Sequence, residues 1–177
     1  GEGGGIHLMV SLCFLGNNED LTQGLAALRT FAAIPLYRRA IVEAGGLGPL
    51  SLALSMVDNN CSIQGACILA CSLSLQEQNK IDMFKSSTIE ILVGLLASNK
   101  DPIVRRHASR AVANCCENKY LSKHIFPLFD LDVLMDLLGT RDLPLARGAA
   151  RLAGNMAIPI SSHVSFLSRR YAERIGD

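Results

Sequence analysis

An amphipathic segment recurs along this chain, and its clearest copy is residues 101–117, DPIVRRHASRAVANCCE. The apolar residues in it follow the period of one helix face: Val104, Ala108, Ala111, Val112 and Cys115. Asp101 is suited to cap the first turn, and Pro102 is tolerated there because the first helical N–H has no intrahelical acceptor. The sequence therefore predicts a helix with a well-defined start, with Arg106 and Arg110 opposite its apolar stripe.

The pattern of this segment returns at a spacing of 41 or 42 residues. At 41, Gly5, Ile6, Met9, Gln23 and Gly24 match Gly46, Leu47, Leu50, Gln64 and Gly65. Ala108 matches Ala66 at 42 and Ala149 at 41. Periods of roughly 40 to 47 residues built from two or three helices are typical of helical solenoids, whose units bury their apolar faces on one another.

We therefore predict an all-α fold, a right-handed α-solenoid of about four repeats. The repeats span residues 4–44, 45–86, 87–128 and 129–168, and residues 1–177 form one solenoid domain that we expect to be part of a longer chain. Composition agrees with this prediction, because 49% of the 177 residues are hydrophobic, only 5% are aromatic and Trp is absent. Such a mixture favours closely packed helices over a β-sandwich.

Charge and hydropathy exclude several classes of partner. The formal net charge of +1 is too small to mark the whole chain as a binder of nucleic acid or of a membrane surface, so any electrostatic function requires a local patch. No apolar run reaches the length of about 18 residues that a membrane-spanning helix needs. We therefore expect a protein partner, no membrane span and no nucleic acid.

The six cysteines lack the dense spacing of a small secreted scaffold. Cys67, Cys71 and Cys115 lie on predicted apolar stripes, which favours buried, reduced thiols. Cys67 and Cys71, with Cys61 or Cys13, are an alternative set of metal ligands, but no CxxC pair is present. We expect no metal, no cofactor and an intracellular, reducing compartment, the cytoplasm first, with the nucleus or an organelle interior as alternatives.

Sequence signatures of catalysis are absent. The four histidines are scattered without an HExxH or GxSxG motif, and only a pairing of Cys115 or Cys116 with His124 suggests a nucleophile. The opening GEGGG lacks the preceding strand and the Lys-Ser/Thr pair of a phosphate loop, so we interpret it as a flexible or truncated terminus. The sequence predicts no catalytic residues and no enzyme activity.

The chain resembles the armadillo repeat over nearly all of residues 4–168. IVEAGGLGPL, residues 41–50, is similar to that family's junction between first and second helices. ILVGLLAS followed by DPIVRRHASRAVANC is similar to its second and third helices, although DPIVRRHA suits the related HEAT repeat equally well. The resemblance implies that the third helices line a concave groove that binds extended peptides.

Nuclear-import members of the family carry a Trp and an Asn on the third helix. Asn114 and Asn155 match the Asn, whereas Arg110 and Arg151 occupy the Trp positions. This difference argues against binding of import signals in the usual way.

Arginines repeat at the same period, since Arg147 and Arg151 follow Arg106 and Arg110 by 41 residues. One interpretation is a solvated helix face. Another is an adaptor or scaffold whose groove binds an extended acidic or phosphorylated segment through Arg106, Arg110, Asn114, Arg147, Arg151 and Asn155. A third is a structural subunit, held in a large assembly through its repeat ends and convex face. A second basic patch, Arg169, Arg170 and Arg174, suggests the start of another repeat.

Overall fold

The computed structural model describes residues 3–56 and 58–160, and helices account for all regular secondary structure in those ranges. The helices are α1 Gly3–Leu15, α2 Asn18–Ala32, α3 Pro35–Glu43, α4 Leu47–Leu54, α5 Asn60–Leu73, α6 Glu77–Lys85, α7 Thr88–Ser98, α8 Pro102–Cys115, α9 Lys119–Ile125, α10 Leu131–Leu138 and α11 Leu143–Ile160. A 3₁₀ turn, Phe126–Leu128, follows α9. The prediction of an all-α fold is confirmed.

The long helices α2, α5, α8 and α11 stack in sequence order. α2 packs on α5, α5 on α8 and α8 on α11, while the shorter helices pack beside them. We call α2, α5, α8 and α11 the third helices, because each closes one turn of the repeating pattern. Serial stacking of this kind defines an α-solenoid of about four repeats, as predicted. The assignment of residues 1–177 to a single domain stays a prediction.

The apolar stripe predicted for residues 101–117 and the corresponding residues of the two preceding repeats form the core of the stack. Their members in α2, in α5 with its C-cap Ser74, and in α8 are all buried: Leu21, Leu25, Leu28, Ala32, Ile63, Cys67, Ala70, Cys71, Ser74, Val104, Ala108, Ala111, Val112 and Cys115. Many are small, and this lets successive third helices approach closely. Each large apolar side chain buried in this way stabilises the fold by roughly 1.5 to 3 kcal/mol.

The predicted cap of α8 is present. The Asp101 carboxylate accepts hydrogen bonds from the backbone N–H groups of Ile103 and Val104, at 2.9 and 3.0 Å. Pro102 occupies the first turn, where no N–H is needed. Asp101 also accepts from the amides of Asn60 and Gln64 on α5, both at 2.9 Å. One carboxylate therefore both starts α8 and joins it to the preceding third helix.

The glycine pair in the junction between α3 and α4 is required by the backbone. Gly45 has φ +87°, a conformation that L side chains rarely adopt. Gly46 is buried, and a Cβ there would lie 2.7 Å from the carbonyl oxygen of Ile41. The AGG sequence therefore permits the sharp turn that brings α4 back against the stack.

The N-terminal residues differ from expectation. Gly3, Gly4 and Gly5 are helical and belong to α1, whereas the sequence predicts a flexible or truncated terminus. The physical reason lies one turn further on, where Ile6, Val10 and Cys13 are buried in the core and fix the helix against α2.

All six cysteines are free thiols, and five of them are buried, with Cys61 exposed. The prediction that Cys67, Cys71 and Cys115 are core residues is confirmed. Burial raises the pKa of the Cys67 and Cys116 thiols to about 12, so both stay protonated and unreactive at neutral pH.

Between residues 3 and 160, with position 57 set aside, no helix combines the length and the apolar character needed to cross a membrane.

Candidate functional site

Exposed and half-buried basic side chains of the third helices define what we call the third-helix surface. The basic side chains on it are Arg29 of α2, Arg106, His107 and Arg110 of α8, and Arg147 and Arg151 of α11. Neither α8 nor α11 contains an Asp or Glu residue. The local charge of this surface is therefore positive, although the chain as a whole is almost neutral.

Arg106 is held by an acidic residue of the next repeat. Its Nε donates to Asp142 Oδ2 at 2.7 Å and to Oδ1 at 3.0 Å. Asp142 also accepts from the backbone N–H of Leu145 at 3.0 Å, so it caps the start of α11. The hydrogen bond from Arg106 lowers the pKa of the Asp142 carboxyl. Arg106 thus joins α8 to α11.

Arg151 belongs to a polar network that spans three repeats. Its Nη2 donates to Glu117 Oε1 at 2.6 Å and to Asn114 Oδ1. Glu117 also accepts from Lys80 of α6 at 3.1 Å, and Lys80 pairs with Glu77 at 2.8 Å. Burial lowers the pKa of Lys80, but its hydrogen bonds to the two glutamates outweigh burial and leave the pKa raised. Lys80 is therefore a buried cation whose charge is balanced by Glu77 and Glu117.

The two asparagines suggested for peptide binding are bonded to neighbouring helices. Asn114 is 2% exposed, and its amide donates to Cys71 O at 3.3 Å and to Ser74 Oγ at 2.8 Å. The amide of Asn155 donates to Ala113 O at 2.9 Å. Each asparagine therefore links its helix to the end of the preceding third helix.

Arg110 and Arg147 are exposed, and no described residue forms an ion pair or hydrogen bond with either side chain. Gly148, which follows Arg147, packs against α8 at Ser109 and Arg110. A Cβ at Gly148 would be 3.7 Å from Cγ of Arg110, so the Arg110 stem rests on the α11 backbone next to Arg147. The structure thus places two unpaired cations of successive repeats on packed helices.

Arg29 and His107 also belong to this surface, and the 41-residue spacing did not indicate either. Arg29 lies on α2, and its Nη1 is 3.9 Å from the position that a Cβ would occupy at Gly65. Arg29 Nε and His107 Nδ1 are buried without a hydrogen-bond partner. The sequence carries no repeat signal for them, because no like residue stands 41 or 42 positions from either one.

The electrostatic environment of His107 is positive. Burial lowers the pKa of the His107 imidazole, and the charges of Arg110, Arg29 and Arg106 lower it further. The imidazole is therefore neutral at pH 7 in the absence of an anion.

Other suggested sites are either unsupported or outside the described residues. Within residues 3–56 and 58–160, no three His, Cys, Asp or Glu side chains are grouped as they would need to be to hold a metal ion. The second basic patch, Arg169, Arg170 and Arg174, lies outside the described part of the chain, as does His163.

Comparison with protein-family models and with curated proteins finds no match. Solved structures do match. A designed armadillo repeat protein is 21% identical, with a TM-score of 0.84, over 97% of this chain and 72% of that one. Computationally designed armadillo repeat proteins for modular peptide recognition match with 22% identity and a TM-score of 0.81, over 87% of this chain and 65% of the other.

A third match is a designed armadillo repeat protein in complex with the peptide (KR)4. It is 20% identical, with a TM-score of 0.78, over 86% of this chain and 64% of the other. The chain thus spans just under two thirds of the last two structures. Likeness at these identities establishes the fold, and the chain has an armadillo-like repeat fold. No particular member of the family is identified by it.

Proposed function

We propose that this chain is a non-enzymatic protein-interaction module, an adaptor or scaffold, that binds an extended acidic segment along the third-helix surface. The observation that carries the proposal is the pair Arg110 and Arg147, two exposed cations without partners among the described residues, on two adjacent helices that contain no acidic residue. One structural neighbour is a complex with a (KR)4 peptide. The arginines here favour a peptide of the opposite charge.

The expected binding is electrostatic. A single exposed pair of Arg with a carboxylate contributes only about 0.2 to 1 kcal/mol. Arginine nevertheless binds carboxylates through two parallel hydrogen bonds, and clustered charges speed the encounter with an oppositely charged ligand. Affinity should therefore depend on several contacts together and fall as salt rises.

The six residues suggested by the sequence have different roles in this proposal. Arg110 and Arg147 contact the ligand directly. Arg106 and Arg151 hold α8 and α11 in register through Asp142 and Glu117. Asn114 and Asn155, each bonded to the preceding third helix, keep the surface continuous. We place the protein in an intracellular, reducing compartment, the cytoplasm first, because its six thiols are unpaired.

The test uses a fluorescently labelled octaglutamate peptide and its octalysine counterpart, measured by anisotropy. We expect the wild type to bind octaglutamate and not octalysine, with affinity decreasing as salt increases. The variant Arg110→Glu/Arg147→Glu should bind octaglutamate at least about ten-fold more weakly, the equivalent of losing about 1.4 kcal/mol.

A matched control is Lys85→Glu/Lys123→Glu, which makes the same change of charge at exposed positions on α6 and α9. It should reduce binding far less than the arginine variant. Equal losses in both variants would show that only net charge matters, and unchanged binding in the arginine variant would contradict the proposal.

A second candidate function, a structural subunit of a larger assembly, is favoured by the exposed face of α1. Leu8, Leu12 and Leu15 are 57%, 45% and 86% exposed and follow one another at helical spacing. The positions 41 residues later are Pro49, Ala53 and Met56, of which the first two are buried and the third half-buried. In the next repeat, the equivalent face, which lies on α4 and at Met56, is therefore covered within the stack.

An assembly subunit should associate through that face when isolated. Sedimentation velocity over a range of concentrations measures this association, and the variant Leu8→Gln/Leu12→Gln should abolish it. A chain that stays monomeric at every concentration removes the support for this second candidate.

A further inference from the structure

The arginine of α2 reaches across α5 instead of staying on its own helix. Side chains on a helix lean toward its N-terminus, and Arg29 does so over the backbone of Gly65, where its Nη1 would be 3.9 Å from an added Cβ. Gly65 is buried, and the guanidinium lies at ordinary van der Waals distance from the place of an added Cβ there. The Arg29 side chain therefore extends from α2 toward α8.

His107 approaches the same point from the other side. It follows Gly65 by 42 residues, the spacing that relates Ala66 to Ala108, so the two positions are side by side on packed helices. Arg110 lies three residues further along α8 and therefore on the same face as His107. The charges of Arg110 and Arg29 both lower the pKa of the His107 imidazole, in agreement with this placement.

Hydrogen-bonding groups in this cluster lack partners. Arg29 Nε and His107 Nδ1 are buried and unpaired, and no described residue pairs with the Arg110 guanidinium. Buried polar groups in folded proteins nearly always have a partner, and unpaired ones require an explanation. Three nitrogen-bearing side chains that converge without an acid are suited to an anion.

The helices on the α2 side of the cluster bring no carboxylate to it. α5 contributes no charged side chain. The acidic residues of α2, Glu19 and Asp20, lie in its first turn, whereas Arg29 lies in its last turn. The capping carboxylate of α8, Asp101, is bound by amide groups of α5.

The helices on the other side contribute further positive charge. α8 carries Arg106, which is occupied by Asp142. α11 carries Arg147 and Arg151, and Arg151 is occupied by Glu117. The cluster is therefore open to an anion from outside the chain.

We propose that Arg29, His107 and Arg110 form a binding site for a phosphate dianion, supplied by a phosphorylated serine or threonine in the segment that the third-helix surface binds. This proposal rests on the function proposed above and names the modification that the partner carries. A phosphate presents three oxygens, enough for two guanidinium groups and one imidazole, whereas a carboxylate presents two.

The charge balance also favours phosphate over carboxylate. Phosphoserine carries a charge of about −1.5 to −2 at neutral pH. Two arginines supply two positive charges, and a neighbouring dianion favours the protonated imidazole of His107. Phosphate binding should therefore be accompanied by proton uptake at His107.

The first experiment uses inorganic phosphate as the probe, with the whole chain labelled with ¹⁵N. We expect phosphate to shift the Arg29 and Arg110 Nε–Hε resonances and to raise the pKa of the His107 imidazole measured by NMR titration. The variant Lys85→Glu/Lys123→Glu controls for general effects of surface charge, and the same shifts should remain in it.

The second experiment compares an octapeptide of alternating Gly and Ser bearing one phosphoserine with its unphosphorylated twin. The phosphorylated peptide should bind at least about ten-fold more tightly. Arg29→Gln should remove most of this difference, and Arg29→Lys should restore only part of it, because an ammonium makes no bidentate contact. Octaglutamate binding is measured in the same variant, and Arg29→Gln should weaken it less than it weakens binding of the phosphorylated peptide, since each exposed carboxylate contact is weak.

Circular dichroism of each variant establishes that it is folded, and His107→Gln provides an independent test if Arg29→Gln is not. Phosphate that leaves the Arg29 and His107 resonances unmoved overturns the site, even where octaglutamate binds and the proposed function stands. Phosphate that shifts these resonances while octaglutamate fails to bind supports the site and contradicts the acidic-segment function.

Discussion

Asn114 illustrates how a single residue can join two repeats. It is almost completely buried, donates to α5 through Cys71 O and Ser74 Oγ, and accepts from Arg151 of α11. A residue that the sequence suggested for peptide binding thus bridges three third helices. The sequence predicted that Asn114 and Asn155 occupy equivalent places, but period alone does not show what an amide contacts.

Asn114→Ala should lower the free energy of unfolding by about 1 to 3 kcal/mol, because it leaves buried partners unsatisfied. Asn155→Ala, at a half-buried position with one acceptor, is the matched control and should cost about 0.5 to 1.5 kcal/mol. Urea denaturation measures both. Equal, negligible effects would show that neither amide holds the helices together.

His107 should make stability depend on pH in a defined window. Burial and nearby arginines lower its pKa in the folded state, so the unfolded chain binds a proton first as pH falls. The free energy of unfolding is therefore unaffected well above 6.5, the ordinary value, and decreases as pH falls from there toward the folded-state pKa.

His107→Gln should remove the decrease that begins as pH falls through 6.5, measured as thermal midpoints across the range. Carboxylates such as Asp142 and Asp101 have lowered pKa values in the folded state, so their contribution to stability is lost only at more acidic pH. If the variant has the same pH profile as the wild type in this window, His107 does not cause the decrease in stability.

At the scale of helices, the sequence predicted most of what the structure contains. The stripes of α5 and α8, the Asp101 cap and the AGG turn follow from local periodicity and backbone chemistry. Ion pairs between repeats do not, because Arg106 with Asp142 and Arg151 with Glu117 are 36 and 34 residues apart, outside the period of the fold.

Arg29 was missed for a similar reason. The residues 41 and 42 positions after it are Ala70 and Cys71, so no ladder of like residues marks it. Its position depends on the direction of a long side chain, which brings Nη1 to 3.9 Å from the place of a Cβ at Gly65. The 41-residue spacing therefore predicts the scaffold and part of the basic surface. The cluster of Arg29, His107 and Arg110 can be recognised only from three-dimensional contacts.

Packing between third helices should be intolerant of charge. Ala108 is completely buried at the α5–α8 contact, so Ala108→Asp should destabilise the fold by about 3 to 5 kcal/mol, as an unpaired buried charge does. Ala26→Asp, at an exposed position of α2, is the control and should change stability little. A folded Ala108→Asp protein with wild-type stability would contradict this packing.

For the whole molecule, the central physical feature is mutual burial of neighbouring repeats. A fragment of residues 1–86 retains α1 to α6 but loses α8, on which α5 packs. Since fewer than about three repeats are seldom stable alone, this fragment should have reduced helicity and no cooperative thermal transition. Native helicity with cooperative unfolding, observed by circular dichroism, would contradict the stacking account.

Binding at the third-helix surface is the central functional claim, and photo-crosslinking locates it directly. An octaglutamate peptide with benzoylphenylalanine at its centre is irradiated with the wild-type protein, and the crosslinked residues are identified by mass spectrometry. Crosslinks to α8 and α11 near Arg110 and Arg147, reduced in the Arg110→Glu/Arg147→Glu variant, are the predicted result. Crosslinks confined to the exposed face of α1, or to α6 and α9, would contradict the claim.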